Sequence, residues 1–112
     1  MVGLTSPYEY LKAVVAGAGD ERVLVLKGEV DLHTAPLLAE RIAELIAAGL
    51  RPVVVDMADV TFLDSCGIDA LCRAYEALDR RPEALVLLRP SPIVRRVLEL
   101  AGVDSLFTLR EG

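Results

Sequence analysis

The amino-acid sequence predicts an α/β fold with a mixed, mostly parallel sheet, an N-terminal antiparallel hairpin and three main helices. Short apolar runs rich in β-branched residues recur along the chain, and amphipathic stretches at helical spacing separate them. Glycine, proline and capping residues stand at the boundaries. The 112 residues suffice for one hydrophobic core, so we expect a single domain over residues 1–112.

The first third of the chain predicts the antiparallel hairpin. We expect residues 1–6 to be a frayed end and residues 7–15 to form an edge strand. A glycine-rich loop signal at 17–20 precedes the apolar run Val23–Leu26, which predicts a buried strand because it is short and rich in β-branching. Gly28-Glu29-Val30-Asp31 ends this second strand.

The first main helix is predicted from its boundaries and its apolar spacing. Thr34 can cap it, and Pro36 stands in the first turn, where no N–H is missed. Gly49 is its natural stop, and Val53–Met57 predicts the next strand. Its core-facing residues recur at i, i+4, i+7 and i+8: Leu38, Ile42, Leu45 and Ile46.

The stretch Phe62–Ile68 marks the start of a second helix. Ser65 stands at or next to its N-cap and follows a predicted strand, at the edge where open α/β sheets place their sites. The hydroxyl can cap the helix, act as a nucleophile or accept a phosphoryl group, and the stretch by itself favours capping. Arg81-Pro82 ends the helix. Its inner positions are Ile68, Leu71, Cys72, Tyr75 and Leu78.

The outer face of this helix carries two acid-before-base pairs. Asp69–Arg73 and Glu76–Arg80 are spaced i, i+4, and each such pair stabilises a helix by only about 0.2–0.5 kcal/mol. A face of this kind is usually just solvated. It can also be a docking surface, because it continues directly from Ser65.

The last third predicts a strand, a helix and a final strand. Ala84–Leu88 is an apolar strand, Ser91 caps the third helix with Pro92 at its first position, and Gly102 stops it. Leu106–Leu109 predicts the last strand. The inner positions of the helix are Val94, Val97, Leu98 and Ala101.

Composition excludes several classes of protein. The net charge of −5 argues against nucleic-acid binding, and no apolar stretch is long enough to insert into a membrane. No secretory signal precedes the domain, so we expect a cytoplasmic protein with reduced thiols. Helical rise separates the Cα atoms of Cys66 and Cys72 by about 9 Å, which is too far for a disulfide.

Catalytic and metal sites are also disfavoured. His33 is the only histidine, and Leu63 stands where a nucleophile elbow needs glycine, so Ser65 has no recognisable triad. No phosphate-binding glycine loop is present, and we expect neither an enzyme nor a cofactor. Four acids, Asp31, Asp56, Asp59 and Asp64, could gather at one sheet edge for Mg²⁺. We prefer the interpretation that Asp31 and Asp59 finish strands or turns and that Asp64 orients the Ser65 loop.

Four short motifs in order resemble one known family. They are Gly28-Glu29-Val30-Asp31 followed by Thr34-Ala35, then Asp64-Ser65-Cys66-Gly67, then Ser91-Pro92 opening the third helix, then Leu98 to Val103. In these motifs the chain resembles the STAS domain, specifically the anti-sigma factor antagonists of the SpoIIAA type. The resemblance covers nearly the whole chain.

The resemblance implies a cytoplasmic regulator that switches partners and has no catalysis of its own. The unphosphorylated antagonist binds an anti-sigma factor that is also a serine kinase, and this binding releases the sigma factor. The kinase then phosphorylates the serine that matches Ser65, and a serine phosphatase restores the free form. Asp31 matches an acidic position near the acceptor, and Asp64 matches the residue before it. A phosphate adds about −1.5 to −2 charges, which the free amides of a helix N-terminus favour.

We therefore predict phosphorylation at Ser65 within a partner-binding surface, in a monomer or weak dimer. Cys66 and Asp69 depart from the family, which often has serine and glycine there, and Asp69 adds a negative neighbour to a phosphate on Ser65. The alternative is a STAS accessory subunit that docks on a membrane transporter ATPase or a multi-protein signalling scaffold. The predicted partner-binding residues are Asp31, Asp64, Ser65, Cys66, Gly67, Asp69 and Arg73.

Overall fold

Five strands form one sheet whose spatial order follows the chain, β1-β2-β3-β4-β5. The computed structural model describes residues 10–112, so the predicted frayed end and the start of the first strand lie outside the described residues. β1 pairs with β2 antiparallel, and each later neighbour pairs parallel, as predicted. The strands are β1 (Leu11–Ala16), β2 (Val23–Val30), β3 (Val53–Leu63), β4 (Leu85–Leu88) and β5 (Thr108–Arg110).

Within residues 11–112, one α-helix connects each pair of consecutive parallel strands. These are α1 (Ala35–Ala47), α2 (Ser65–Ala77) and α3 (Pro92–Ala101). Helices α1 and α2 pack against each other, whereas α3 packs against β3. The predicted stop of α3 is confirmed, because Gly102 caps it in the left-handed conformation at φ 73°.

One cluster of buried apolar side chains joins the sheet to all three helices. Each large aliphatic side chain that is fully buried contributes about 1.5–3 kcal/mol to the hydrophobic stabilisation. Seven members at 0–1% exposure are Leu24, Leu26, Val55, Met57, Leu38, Ile42 and Leu71. This core fixes the ends of β2 and β3 and the helices that follow them.

Strand β3 is longer than the sequence predicted. The prediction ended it at Met57, but the strand continues to Leu63. Beyond Asp56 the ladder to β4 ends, and β3 pairs with β2 alone. Most side chains in this extension are exposed, so the apolar run that signals a buried strand stops early.

The C-terminal segment also differs from its prediction. A 3₁₀ turn over Asp104–Leu106 replaces the first part of the predicted last strand, and β5 begins at Thr108. Ala101 was predicted to face inward, but it is exposed because it is the last residue of α3. Neither difference touches the edge of the sheet where β2 and β3 end.

Candidate functional site

The carboxyl ends of β2 and β3 lie side by side. Val30 and Leu63 are partners in the parallel ladder, and the Asp64 N–H donates to the Val30 carbonyl oxygen at 3.1 Å. Asp31 and Asp64 therefore follow neighbouring strand ends. The residues that open α1 and α2 come together at this edge of the sheet.

The turn that opens α1 is held by Asp31 and Thr34. Asp31 Oδ1 accepts hydrogen bonds from the His33 N–H at 2.9 Å and the Thr34 N–H at 3.1 Å. The Thr34 hydroxyl accepts from the Asp31 N–H at 2.8 Å and donates to the Glu29 carbonyl oxygen at 2.7 Å. Thr34 thus stands at the N-cap position, but the prediction that it caps the helix is wrong, since its side chain makes no capping hydrogen bond.

These hydrogen bonds keep Asp31 charged. Burial acts to raise the pKa of Asp31, but the N–H groups of Thr34 and His33 and the Thr34 hydroxyl together outweigh it and hold the pKa below its ordinary value. The Asp31 carboxylate is therefore ionised at neutral pH, next to the start of α2.

Helix α2 is capped by Asp64 and not by Ser65. The Asp64 carboxylate accepts from the Cys66 N–H at 2.9 Å and the Gly67 N–H at 3.3 Å. Ser65 is the first helical residue, is exposed, and its hydroxyl bonds to no residue within 10–112. The interpretation of Ser65 as the cap is therefore wrong. The expectation that free amides receive an anion also changes, because a carboxylate already occupies two of them.

Gly67 lets α2 start close to the sheet. A Cβ atom on Gly67 would lie 2.4 Å from Cδ1 of Leu63 and 2.7 Å from Cγ1 of Val30. Gly67 is buried, so its part in the site is to hold the helix start against the ends of β2 and β3. The Ser65 hydroxyl depends on this packing for its position.

An open groove of about 460 Å³ runs between the first turns of α1 and α2, and we call it the α1–α2 groove. Asp69 and Arg73 lie on its α2 side and form an ion pair of 2.7 Å. Of the predicted residues, Ser65, Cys66, Asp69 and Arg73 line the groove, while Asp31 and Asp64 lie at the adjoining strand ends. The full lining is Leu32, Ala35, Pro36, Ala39, Ser65, Cys66, Asp69, Ala70 and Arg73.

Sequence reasoning missed the α1 wall of this groove. Leu32 follows Asp31 and is 66% exposed, and three residues of the first turns of α1, Ala35, Pro36 and Ala39, complete the wall. An apolar residue in a polar loop directly after a strand was the available signal. A large exposed aliphatic side chain beside a groove is typical of a protein-binding surface.

The remaining acidic and cysteine residues form no metal site or disulfide in the part of the chain that the structure describes. Asp56 is buried and forms an ion pair with Arg89 while accepting from the Ala58 N–H at 3.0 Å. Within residues 10–112, no three His, Cys, Asp or Glu side chains are arranged to hold a metal ion. Cys66 and Cys72 are both free thiols, and burial, followed by the charges of Asp69 and Glu76, raises the pKa of Cys72. In the same part of the chain, no helix is long and apolar enough to cross a membrane.

Comparisons with known proteins agree on one family. The family model of the STAS domain matches residues 12–112. The anti-sigma-F factor antagonist RsfB of Mycobacterium tuberculosis is 34% identical over 99 residues, which cover 88% of this chain and 80% of RsfB. A crystal structure of an anti-sigma factor antagonist from Mycobacterium paratuberculosis superimposes with a TM-score of 0.81 at 29% identity, covering 96% of this chain and 92% of that one. Unphosphorylated SpoIIAA shares the fold, with a TM-score of 0.67 at 24% identity and 89% of each chain covered.

Proposed function

The chain belongs to the STAS domain family, and we propose that it is an anti-sigma factor antagonist that binds an anti-sigma factor serine kinase and is inactivated by phosphorylation at Ser65. In this proposal the unphosphorylated chain occupies the kinase and frees the sigma factor. A serine phosphatase removes the phosphate and restores binding. The chain itself binds and is modified, and it catalyses nothing.

The observation that carries the proposal is the state of the Ser65 hydroxyl. It is exposed on the first turn of α2, and Asp64 makes the capping hydrogen bonds that a serine at a helix start often makes. A kinase can therefore reach the hydroxyl, and a phosphate can replace its proton, without breaking a hydrogen bond within residues 10–112.

Neighbouring hydroxyls are less available. The Ser91 hydroxyl donates to the Val60 carbonyl oxygen at 2.7 Å and accepts from the Val94 N–H, so its modification would disturb the start of α3. The Thr61 hydroxyl is exposed but donates to the Gly28 carbonyl oxygen at 3.3 Å. Of these three hydroxyls, only that of Ser65 makes no hydrogen bond within residues 10–112.

The groove explains how a phosphate could change binding without changing the fold. A phosphate would add about −1.5 to −2 charges at neutral pH beside the carboxylates of Asp64 and Asp69. The N–H groups of Cys66 and Gly67 already donate to the Asp64 carboxylate, so they cannot neutralise the charge of the phosphate. The partner would then have to desolvate an uncompensated charge on contact, and each 1.4 kcal/mol lost weakens affinity about tenfold.

The proposed contact surface combines the α1–α2 groove with the adjoining strand ends. Ser65, Cys66, Asp69 and Arg73 contribute from α2, and Leu32 contributes from the α1 side. The strand ends contribute Asp31 and Asp64, and the buried Gly67 supports the surface from below.

The test is phosphorylation by the anti-sigma factor serine kinase of the same organism. We expect intact-mass analysis to show one added phosphate on the wild-type chain with ATP, and none on Ser65→Ala. Phosphate retained on Ser65→Ala and mapped to Thr61 or Ser91 would place the switch elsewhere. A wild-type chain that neither binds an active kinase nor gains phosphate, but binds a transporter ATPase, would favour an accessory-subunit role.

A further inference from the structure

We propose that the Asp69–Arg73 ion pair, through its direction along α2, determines which partner the surface accepts and how strongly phosphorylation changes binding. This inference rests on the proposed function and assigns a distinct role to two residues of its surface. The pair lies on the groove, its acid is one helical turn from the phosphoacceptor, and its base is one turn further.

The geometry places three side chains in one row. Ser65, Asp69 and Arg73 are spaced i, i+4 and i+8, so they lie above one another on one helix face. The Arg73 Nε donates to Asp69 Oδ2 at 2.7 Å, and the side chains remain 80% and 60% exposed. The pair therefore presents a small dipole to the groove, with its negative end next to Ser65.

Stability does not account for this arrangement. Exposed i, i+4 pairs contribute little to folding. The Glu76–Arg80 pair has the same order and spacing in the sequence, its side chains are 65% and 72% exposed, and its closest approach is 3.9 Å. Arg80 was predicted to lie on the outer face of this helix, but it lies beyond the end of α2, at φ 56°. Neither Glu76 nor Arg80 lines the groove. Of these two exposed pairs, only Asp69–Arg73 lies wholly on α2 and faces the proposed partner.

The direction of the pair matters in both states of Ser65. In the unphosphorylated state, a partner must match a negative end near Ser65 and a positive end further along, because interface charges fix register and reject wrong partners. In the phosphorylated state, Asp69 is the nearest residue along the row, and it cannot neutralise the phosphate. A cation at position 69 would neutralise it in part and so weaken the switch.

The experiment reverses each pair in turn. Asp69→Arg/Arg73→Asp keeps the net charge and the i, i+4 pairing but reverses the dipole, and Glu76→Arg/Arg80→Glu is the matched control outside the groove. Affinity for the anti-sigma factor kinase is measured without ATP by calorimetry, with Ser65 intact and with Ser65→Asp in each background. Thermal melts compare the folding of all variants.

We expect reversal of Asp69–Arg73 to weaken binding about tenfold or more, and reversal of Glu76–Arg80 to change it less than about twofold. We also expect Ser65→Asp to reduce affinity by a smaller factor in the Asp69→Arg/Arg73→Asp background than in the wild type. Both results together support the inference.

Other results distinguish a failure of the proposed ion-pair role from a failure of the proposed function. If reversal of Asp69–Arg73 leaves affinity unchanged while Ser65→Asp still weakens binding, the pair has no such role and the proposed function stands. Equal losses from both reversals would mean a general charge effect and would also overturn the inference. If the wild-type chain neither binds the kinase nor is phosphorylated by it, the proposed function fails and the inference fails with it.

Discussion

The starts of α1 and α2 follow neighbouring strand ends and are built from similar residues, yet they use their hydroxyls in opposite ways. Each start has an aspartate whose carboxylate accepts two backbone N–H groups, Asp31 before α1 and Asp64 before α2. At α1 the nearby hydroxyl of Thr34 is fully buried and hydrogen-bonded to the backbone on both sides. At α2 the hydroxyl of Ser65 is exposed and makes no hydrogen bond to the part of the chain that the structure describes.

Under the proposed function, similar turns serve structure at α1 and regulation at α2. At α2 the Asp64 carboxylate satisfies amides that the first helical turn leaves unpaired, whereas at α1 the Asp31 carboxylate satisfies amides of the turn that precedes the helix. The hydroxyl is then free either to tie the strand end to the helix or to face the solvent. Because Asp64 makes the capping hydrogen bonds, a phosphate on Ser65 would change the surface charge and would leave the hydrogen bonds at the start of α2 in place.

The largest expected loss of stability comes from removing the Thr34 hydroxyl at the start of α1. Thr34→Val keeps the shape of the side chain but leaves the Asp31 N–H and the Glu29 carbonyl without their hydroxyl partner. We expect a loss of about 2–3 kcal/mol in the free energy of unfolding, measured by urea denaturation, because buried unsatisfied groups are costly. Thr34→Ser keeps the hydroxyl and is the control. A loss as large in Thr34→Ser as in Thr34→Val would attribute the effect to the methyl group.

The next effect tests the packing beneath the α2 start. Gly67→Ala places a methyl group within 2.4 Å of Leu63 and 2.7 Å of Val30, and overpacking of this kind costs about 1–3 kcal/mol. Leu63→Val shortens the nearest side chain, so the double variant should cost less than the sum of the single ones. Additive losses in urea unfolding would show that the helix start relaxes in another direction.

A smaller effect depends on pH and concerns Asp31. Its folded pKa lies below the ordinary value, so the charged form contributes stability above the unfolded pKa of about 4, and this contribution disappears as the pH falls through the folded pKa. Asp31→Asn lacks this contribution. We expect its melting temperature to lie below that of the wild type at pH 7 and the two to converge toward pH 3. A constant difference across this range would contradict a charge-linked role.

The sequence predicted where the two helices start, but it did not predict which side chain caps each of them. The boundaries of the two helix starts and the position of Ser65 follow from strand and helix patterns. The cap does not, because Asp64 and Ser65 are adjacent and both residue types are favoured caps. The backbone decides between them: Asp64 is extended, at φ −115° and ψ −172°, and Ser65 is already helical.

Residue type alone also failed to predict the role of Thr34 at α1 and the length of β3. Thr34 has helical backbone angles, φ −102° and ψ −20°, so its hydroxyl points to the strand end and not to the first turn, which residue type alone does not reveal. The extension of β3 pairs on one side only and is mostly exposed, so it lacks the apolar run of a buried strand. Leu32 was missed because a single exposed aliphatic residue has no periodic pattern.

The smallest effect on stability is expected at Ser65, and it tests directly whether the two helix starts differ in their use of the hydroxyl. Ser65→Ala removes a hydroxyl that makes no hydrogen bond within the described residues, so urea denaturation should show a change of less than about 0.5 kcal/mol, which is typical of surface substitutions. Ser65→Asp should also fold, since a carboxylate is favourable at a helix N-terminus, although Asp64 nearby reduces that benefit. Binding to the kinase should separate them, with Ser65→Ala close to wild type and Ser65→Asp weaker. A loss near that of Thr34→Val would mean that Ser65 supports the fold after all, and the contrast between the two helix starts would disappear.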